Sequence, residues 1–229
     1  ATLRALYDAG IEYTDRFVGS LFDRLRRQFD DTVVVATADH GEHLGERGAL
    51  GHKYALDDAV LRVPLVTAGL DLPATPGPVQ HTDVMRALLA EAGADRGFVD
   101  GVDLRHEARE FAVSQDGARS LAPLYEANPD FEPTQFLASA DGTLPRRTAM
   151  RTATHRYVRG ADDTSALFEM PDETTDITAA APETAATCEA RLTAWLADHD
   201  PVEQRDGDDA ISQSTKSRLQ HMGYLDEEL

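Results

Sequence analysis

Lysine is nearly missing from this chain. Only Lys53 and Lys216 are lysines, and the rest of the 22 basic residues are arginine. Acidic residues number 41, which leaves a formal net charge of −19. Such a surface repels nucleic acid and anionic membranes, so neither is an expected partner. Cysteine is equally scarce. The one present, Cys188, excludes an internal disulfide and any cysteine-rich metal site, and its helix-like surroundings give it the role of a small buried apolar residue. No run of eighteen apolar residues occurs, so no membrane-spanning helix is expected. An initiator methionine and a signal peptide are also lacking. The chain opens at Ala1 in what already reads as an amphipathic helix. It therefore reads as a piece of a longer protein, with any targeting region ahead of residue 1; the compartment is not legible, the cytoplasm being favoured.

The scarcity of lysine gives the two that remain a meaning. Where arginine has been taken at almost every basic position, a lysine kept inside a Gly-rich stretch is expected to act as a compact point charge. That singles out Lys53, in Gly51-His52-Lys53. The composition resembles that of salt-adapted, haloarchaeal-like proteins, in which carboxylates keep the surface hydrated and salt screens their repulsion. With 229 residues, 41% of them hydrophobic, the chain can bury one large or two small cores.

Apolar residues recur at helical spacing over 3–25, a strand begins at residue 32, a second buried strand spans 62–68, and a helix spans 82–92. This alternation predicts an α/β domain with a doubly wound sheet over 1–105. Residues 106–147 read as an irregular excursion with one short strand at 110–114. Three short segments, 148–152, 155–159 and 166–170, predict a small antiparallel sheet. A helix over 182–199, an acidic linker over 200–209 and a last short segment at 219–225 complete a carboxy-terminal α+β subdomain and tail, 148–229.

Chemistry is concentrated after the first strand. Asp39-His40-Gly41-Glu42 follows the apolar run at 32–37, and the crevice beyond the carboxyl ends of strands is where ligands sit in open α/β sheets. Asp and His offer an oxygen and an imidazole nitrogen that can share one divalent cation. Taken alone, Asp-His-Gly is equally a turn. A zinc-protease helix is excluded because there is no HExxH, and a phosphate loop because His52 separates Gly51 from Lys53.

The stretch that continues through Leu44-Gly45-Glu46-Arg47-Gly48, Gly51-His52-Lys53-Tyr54 and Leu61-Arg62-Val63-Pro64-Leu65-Val66 resembles the metal- and sulfate-binding segment of the sulfatase family, in the alkaline phosphatase superfamily. The helix before it, the helix "QHTDVMRALLAEAG" after it, and the later "RTATHRYVRG", "ALFEMPDETTDI" and "RLQHMGYL" are similar to sulfatase elements too. The resemblance implies an alkaline-phosphatase-like sheet and metal-dependent hydrolysis of sulfuric esters, with a sulfated small molecule or carbohydrate as substrate. It implies Asp39 and His40 as metal ligands, with Ca²⁺ the expected ion and Mg²⁺ or Mn²⁺ as alternatives. Lys53, eleven residues before Pro64, is implied to contact the sulfate and the bridging oxygen, while His52 is either an acid or a loop residue. Glu42 and His43 are implied to stiffen the loop. Two departures matter. Arg47 stands where many relatives carry histidine, and the C/S-x-P-x-R motif that yields the formylglycine nucleophile is absent. The expectation is therefore a carboxy-terminal portion of a sulfatase, inactive alone, with formylglycine and further ligands in a missing amino-terminal part. A phosphatase, phosphonate hydrolase or phosphotransferase of the superfamily, and a non-catalytic acidic binding module, are the competing readings.

Overall fold

The computed structural model describes residues 2–53, 55–73, 75–97, 99–120, 122, 126 and 143–199. Helix α1, Thr2–Gln28, has its apolar stripe of Leu3, Leu6, Tyr7, Ile11 and Leu21 exposed. After it come β1 (Val34–Thr37), the short pair β2 (His43–Leu44) and β3 (Leu50–Gly51), a single turn of helix α2 (Asp58–Leu61), and β4 (Leu65–Ala68). Helix α3, His81–Glu91, is started by a capping box in which Gln80 and Asp83 exchange side-chain bonds with each other's backbone N–H groups. The carboxylate of Asp83 is fully buried and is also gripped by Arg109, which ties the start of α3 to the segment leading into the strand that begins at Ala112.

β1 and β4 pair antiparallel, Val34 opposite Ala68 and Thr37 opposite Leu65. This corrects the doubly wound expectation: all the sheets among the described residues are antiparallel. A parallel pair needs a long crossover, usually a helix laid over the sheet. Here the chain leaves β1, makes the β2–β3 hairpin and the one turn of α2, and returns in the opposite direction.

The second sheet runs β10-β9-β8-β5, where β5 is Ala112–Asp116, β8 Arg147–Arg151, β9 His155–Gly160 and β10 Ser165–Glu169. Between β5 and β8 lies a small pair, β6 (Arg119–Ser120) with β7 (Thr143–Leu144). The segments read as a small antiparallel sheet are β8, β9 and β10, each within a residue or so of its expected bounds. Ala149, Met150, Tyr157, Val158, Ala166 and Leu167 of these strands are buried, Ala149 and Val158 packing with Leu56; helix α4, Pro182–Asp198, buries Ala185, Cys188 and Leu192. Tyr157 donates to Glu189 at 2.8 Å and Arg159 pairs with the same carboxylate at 2.7 Å, which fixes α4 on the sheet.

By compactness the chain divides into residues 1–193 and 194–229. Of the second unit the described part is the end of α4, where the rings of Trp195 and His199 stack at 3.9 Å. The expected linker at 200–209 and segment at 219–225 lie outside the described residues, as does most of the 106–147 excursion beyond residue 120.

Candidate metal centre and its cavity

Asp39 and His40 follow directly on the end of β1. The turn is closed by Gly41, whose N–H donates to the Val60 carbonyl at 2.7 Å. Only glycine permits this approach, because a Cβ there would lie 2.1 Å from the Ala59 carbonyl oxygen. The motif loop is thereby sealed against α2. A cavity of about 590 Å³ opens beside it, lined by Asp39 and His40 together with Asp58, Arg62, His81 and Arg151. Its remaining wall is largely aliphatic, with no Phe, Tyr or Trp among the described residues that line it.

His40 is oriented by its neighbours. Its Nδ1 faces the Gly41 carbonyl at 2.9 Å, so Nδ1 carries the proton and Nε2 keeps a free lone pair in the neutral ring. That Nε2 is buried and has no hydrogen-bond partner, and it lies 3.8 Å from Oδ2 of Asp39. A buried acceptor left without a partner is costly unless something else fills it. A cation at this nitrogen would do so.

His52 stacks on His40, ring centroids 3.9 Å apart, and its Nδ1 donates to Glu42 at 2.9 Å. His40, Glu42 and His52 each bring a ligand atom within 4.8 Å of the others. The residues present thus fit a divalent ion, with Asp39 at hand on the cavity side. The structure brings three of the four residues singled out in the sequence together: Asp39 with His40 on the cavity, and His52 against His40. Lys53 follows on the exposed side of the loop, where its ammonium makes no hydrogen bond or ion pair with the described residues.

Behind this loop lies a buried charge network of which the sequence pointed only to His43. His43, 2% exposed, points Nδ1 at the Gly51 carbonyl and Nε2 at Oδ2 of Asp57, both at 3.0 Å. Both partners only accept, so both ring nitrogens donate and the ring is an imidazolium. Its hydrogen bond to Asp57 holds the pKa above the ordinary 6.5, against the pull of burial. Burial pushes the Asp57 carboxyl up, but the His43 bond and the Arg47 charge outweigh it and hold Asp57 below the ordinary carboxylate range. Arg47 binds Asp57 with one nitrogen and Glu173 with another, the latter at 2.8 Å. Glu173 also accepts from the Asp58 backbone N–H at 3.2 Å and pairs with Arg156 at 3.3 Å. Asp58 in turn receives both arms of Arg151 at 3.1 Å each. A further local hint is the Asp57-Asp58 pair ahead of β4, a strand expected to be buried but largely exposed; Glu173 lies 126 residues from Arg47.

The fold is shared with solved hydrolases. The phosphonate monoester hydrolase of Agrobacterium radiobacter superposes with a TM-score of 0.65 at 22% identity, over 86% of this chain and 41% of that one. A second structure, BT4656 in complex with D-glucosamine-2-N,6-O-disulfate, superposes with a TM-score of 0.58 at 19% identity, over 85% and 41% of the two chains. The sequence narrows the class, since residues 2–94 match the Sulfatase family model. The choline-sulfatase of Rhizobium meliloti is 31% identical over 185 residues, 76% of this chain and 32% of that protein. Residues 2–94, with the motif loop in their middle, are thus similar in sequence to sulfatases. The chain spans less than a third of the length of the curated relatives it matches. Assignment to a carboxy-terminal portion is corrected by these matches. The family model falls on the amino-terminal part of this chain, and the long match covers most of the chain but a third of its relative.

Proposed function

We propose that the protein carrying this chain is a metal-dependent sulfuric ester hydrolase, with the cation held first by Asp39 and His40. The observation that carries this reading is the buried, unpartnered Nε2 of His40 beside Asp39, at the edge of a cavity, in the segment that matches the sulfatase model. A bound cation would act as Lewis acid on a sulfuryl oxygen and as template for the ester. The chain's own groups supply the rest. His40 and Asp39 would hold the cation that the anionic group meets, and Lys53, on the exposed side of the loop, is the group assigned to share the charge that develops on the departing oxygen. His52, donating through Nδ1 to Glu42, keeps a free Nε2 that it can offer to the cation as a second imidazole nitrogen. The formylglycine nucleophile would come from polypeptide other than these 229 residues.

The donor set bears on the metal. Ca²⁺ prefers all-oxygen surroundings, whereas two imidazoles and a carboxylate suit a borderline ion. We therefore favour Mn²⁺ over the Ca²⁺ expected from the sequence. As substrate we propose a sulfated carbohydrate. The cavity is of ligand size, and its Arg62 and its Arg151–Asp58 pair offer donors and acceptors for hydroxyls. An aromatic cage of the kind that recognises a quaternary ammonium is missing from the described lining, which argues against choline sulfate despite the relative.

The test is steady-state hydrolysis of an aryl sulfate and an aryl phosphonate monoester by the protein carrying this chain, with and without chelator. The reading requires the sulfate to be the better substrate and chelation to abolish its turnover. A preference for the phosphonate would move the protein to the phosphonate hydrolases that share its fold.

A further inference from the structure

We propose that Arg47 is a positioning residue, whose guanidinium bridges Asp57 and Glu173 and thereby holds the loop of His40, Glu42 and His52 in its ligand-bearing shape. The inference rests on the metal reading only for one arm of its test.

Four contacts connect the two ends. Glu173 sits in the turn after β10 and is 4% exposed. It takes one nitrogen of Arg47 and the backbone N–H of Asp58, so it fastens both the motif loop and the first residue of α2. The other arm of Arg47 goes to Asp57. Asp57 receives Nε2 of His43, and Nδ1 of His43 crosses to the Gly51 carbonyl. His43 and Gly51 are directly opposite each other in the β2–β3 ladder. Their outer neighbours in the chain are Glu42 and His52, the pair hydrogen-bonded at 2.9 Å. Loosening Arg47 therefore loosens the cross-link that sets Glu42 against His52.

Arg47 is shaped for this work by its backbone. It stands at φ 56, a left-handed conformation that costs a non-glycine residue energy and persists where the surroundings over-determine it. Two ion pairs to buried carboxylates are such surroundings. A guanidinium fork can reach both carboxylates at once, and a compact ammonium cannot. Lysine at this position would keep the charge but lose the bridge.

Arg47→Lys is the main variant, because it leaves no buried carboxylate without a nearby cation. Glu173→Gln removes the bridge from the other end, and Arg159→Lys, which alters the ion pair to Glu189, serves as the control. Hydrogen exchange on the full chain should show residues 41–53 exchanging roughly tenfold faster or more in Arg47→Lys, with residues 147–169 unchanged. Titration with Co²⁺ alone, followed by its visible absorption, should show affinity lowered by about 10- to 100-fold, the usual effect of losing a partner that orients metal ligands. Both readouts should be unaltered in Arg159→Lys. Unchanged exchange of 41–53 in Arg47→Lys overturns the proposal. Equal acceleration across 147–169 does so too, since it would make the residue a general stabiliser. If the parent chain binds no Co²⁺, the metal reading fails, and the exchange pattern still decides the role of Arg47.

Discussion

Asp57 is the place where the buried network can be tested quantitatively. It is 2% exposed, and the two cations it receives, the His43 imidazolium and the Arg47 guanidinium, meet at the same oxygen, Oδ2. Removing one partner of a buried pair typically costs about 3–5 kcal/mol, because the charge left behind is uncompensated. Here the cost is uneven. Arg47 keeps Glu173 and is partly exposed, whereas His43 is left with a single acceptor, so Asp57→Ala should fall toward the lower end, about 3 kcal/mol. For a unit of this size that lowers Tm by roughly 6–12 °C. Asp57→Asn should be milder, since an amide oxygen can replace Oδ2 while its nitrogen takes the place of the unpartnered Oδ1; a buried, unsatisfied amide costs about 1–3 kcal/mol. The pH dependence has a definite sign. The pKa of His43 is raised on folding, so its contribution is complete below 6.5 and is lost as pH rises through the raised value. The pKa of Asp57 is lowered, so its contribution is present above 3.8 and is lost as pH falls through the lowered value. Melting of the parent, Asp57→Ala and His43→Gln across pH 4 to 10 is the assay, the range being about that between the ordinary carboxylate and lysine values. The parent should lose stability at the alkaline side and His43→Gln should not. A change below about 1 kcal/mol for Asp57→Ala near pH 6 would refute the charged pair, that being the size of an exposed pair.

Other consequences are more direct. Gly41→Ala would drive a Cβ into the Ala59 carbonyl; it should lower stability by about 1–3 kcal/mol, seen in urea denaturation, and a neutral effect would show that the loop is not sealed against α2. Lys53→Ala, in the protein carrying this chain, should lower aryl sulfate turnover by on the order of 10² to 10³, as loss of a charge-stabilising donor does, and Lys216→Ala should be near neutral; equal rates in both would remove Lys53 from the chemistry. From the net charge of −19, Tm should rise as KCl goes from about 0.1 M, where the Debye length is about 10 Å, to about 1 M, where it is about 3 Å; a flat or falling curve ends the salt-adapted reading.

What was legible in the sequence was local. The 3.6-residue period pointed to α1, α3 and α4, and short segments set off by turn-like residues pointed to β8 to β10, because each signal is contained within a few neighbouring residues. Asp39 and His40 stood out because they come just after a strand end in the chain. Strand direction was not visible. A short buried strand is apolar on both faces whether its neighbour runs with it or against it, and the antiparallel return from β1 to β4 is decided by the hairpin and single helical turn between them. The charge network was hidden for a different reason. Arg47 and Glu173 look like ordinary surface residues until β10 and its following turn bring them together. The second imidazole was hidden on similar grounds, since His52 joins His40 through a hairpin closed by His43 and Gly51 and not through sequence spacing.

Calorimetric titration of Mn²⁺ into the chain, beside Asp39→Ala and His40→Ala, bears most directly on the central claim. Among the described residues, Asp39 and His40 alone join the cavity to the buried free nitrogen. The account predicts one binding site per chain, at least about tenfold weaker when either residue is replaced, consistent with loss of a direct ligand where even an outer partner costs about 10- to 100-fold. Mn²⁺ binding with the same stoichiometry and affinity in both variants would contradict it.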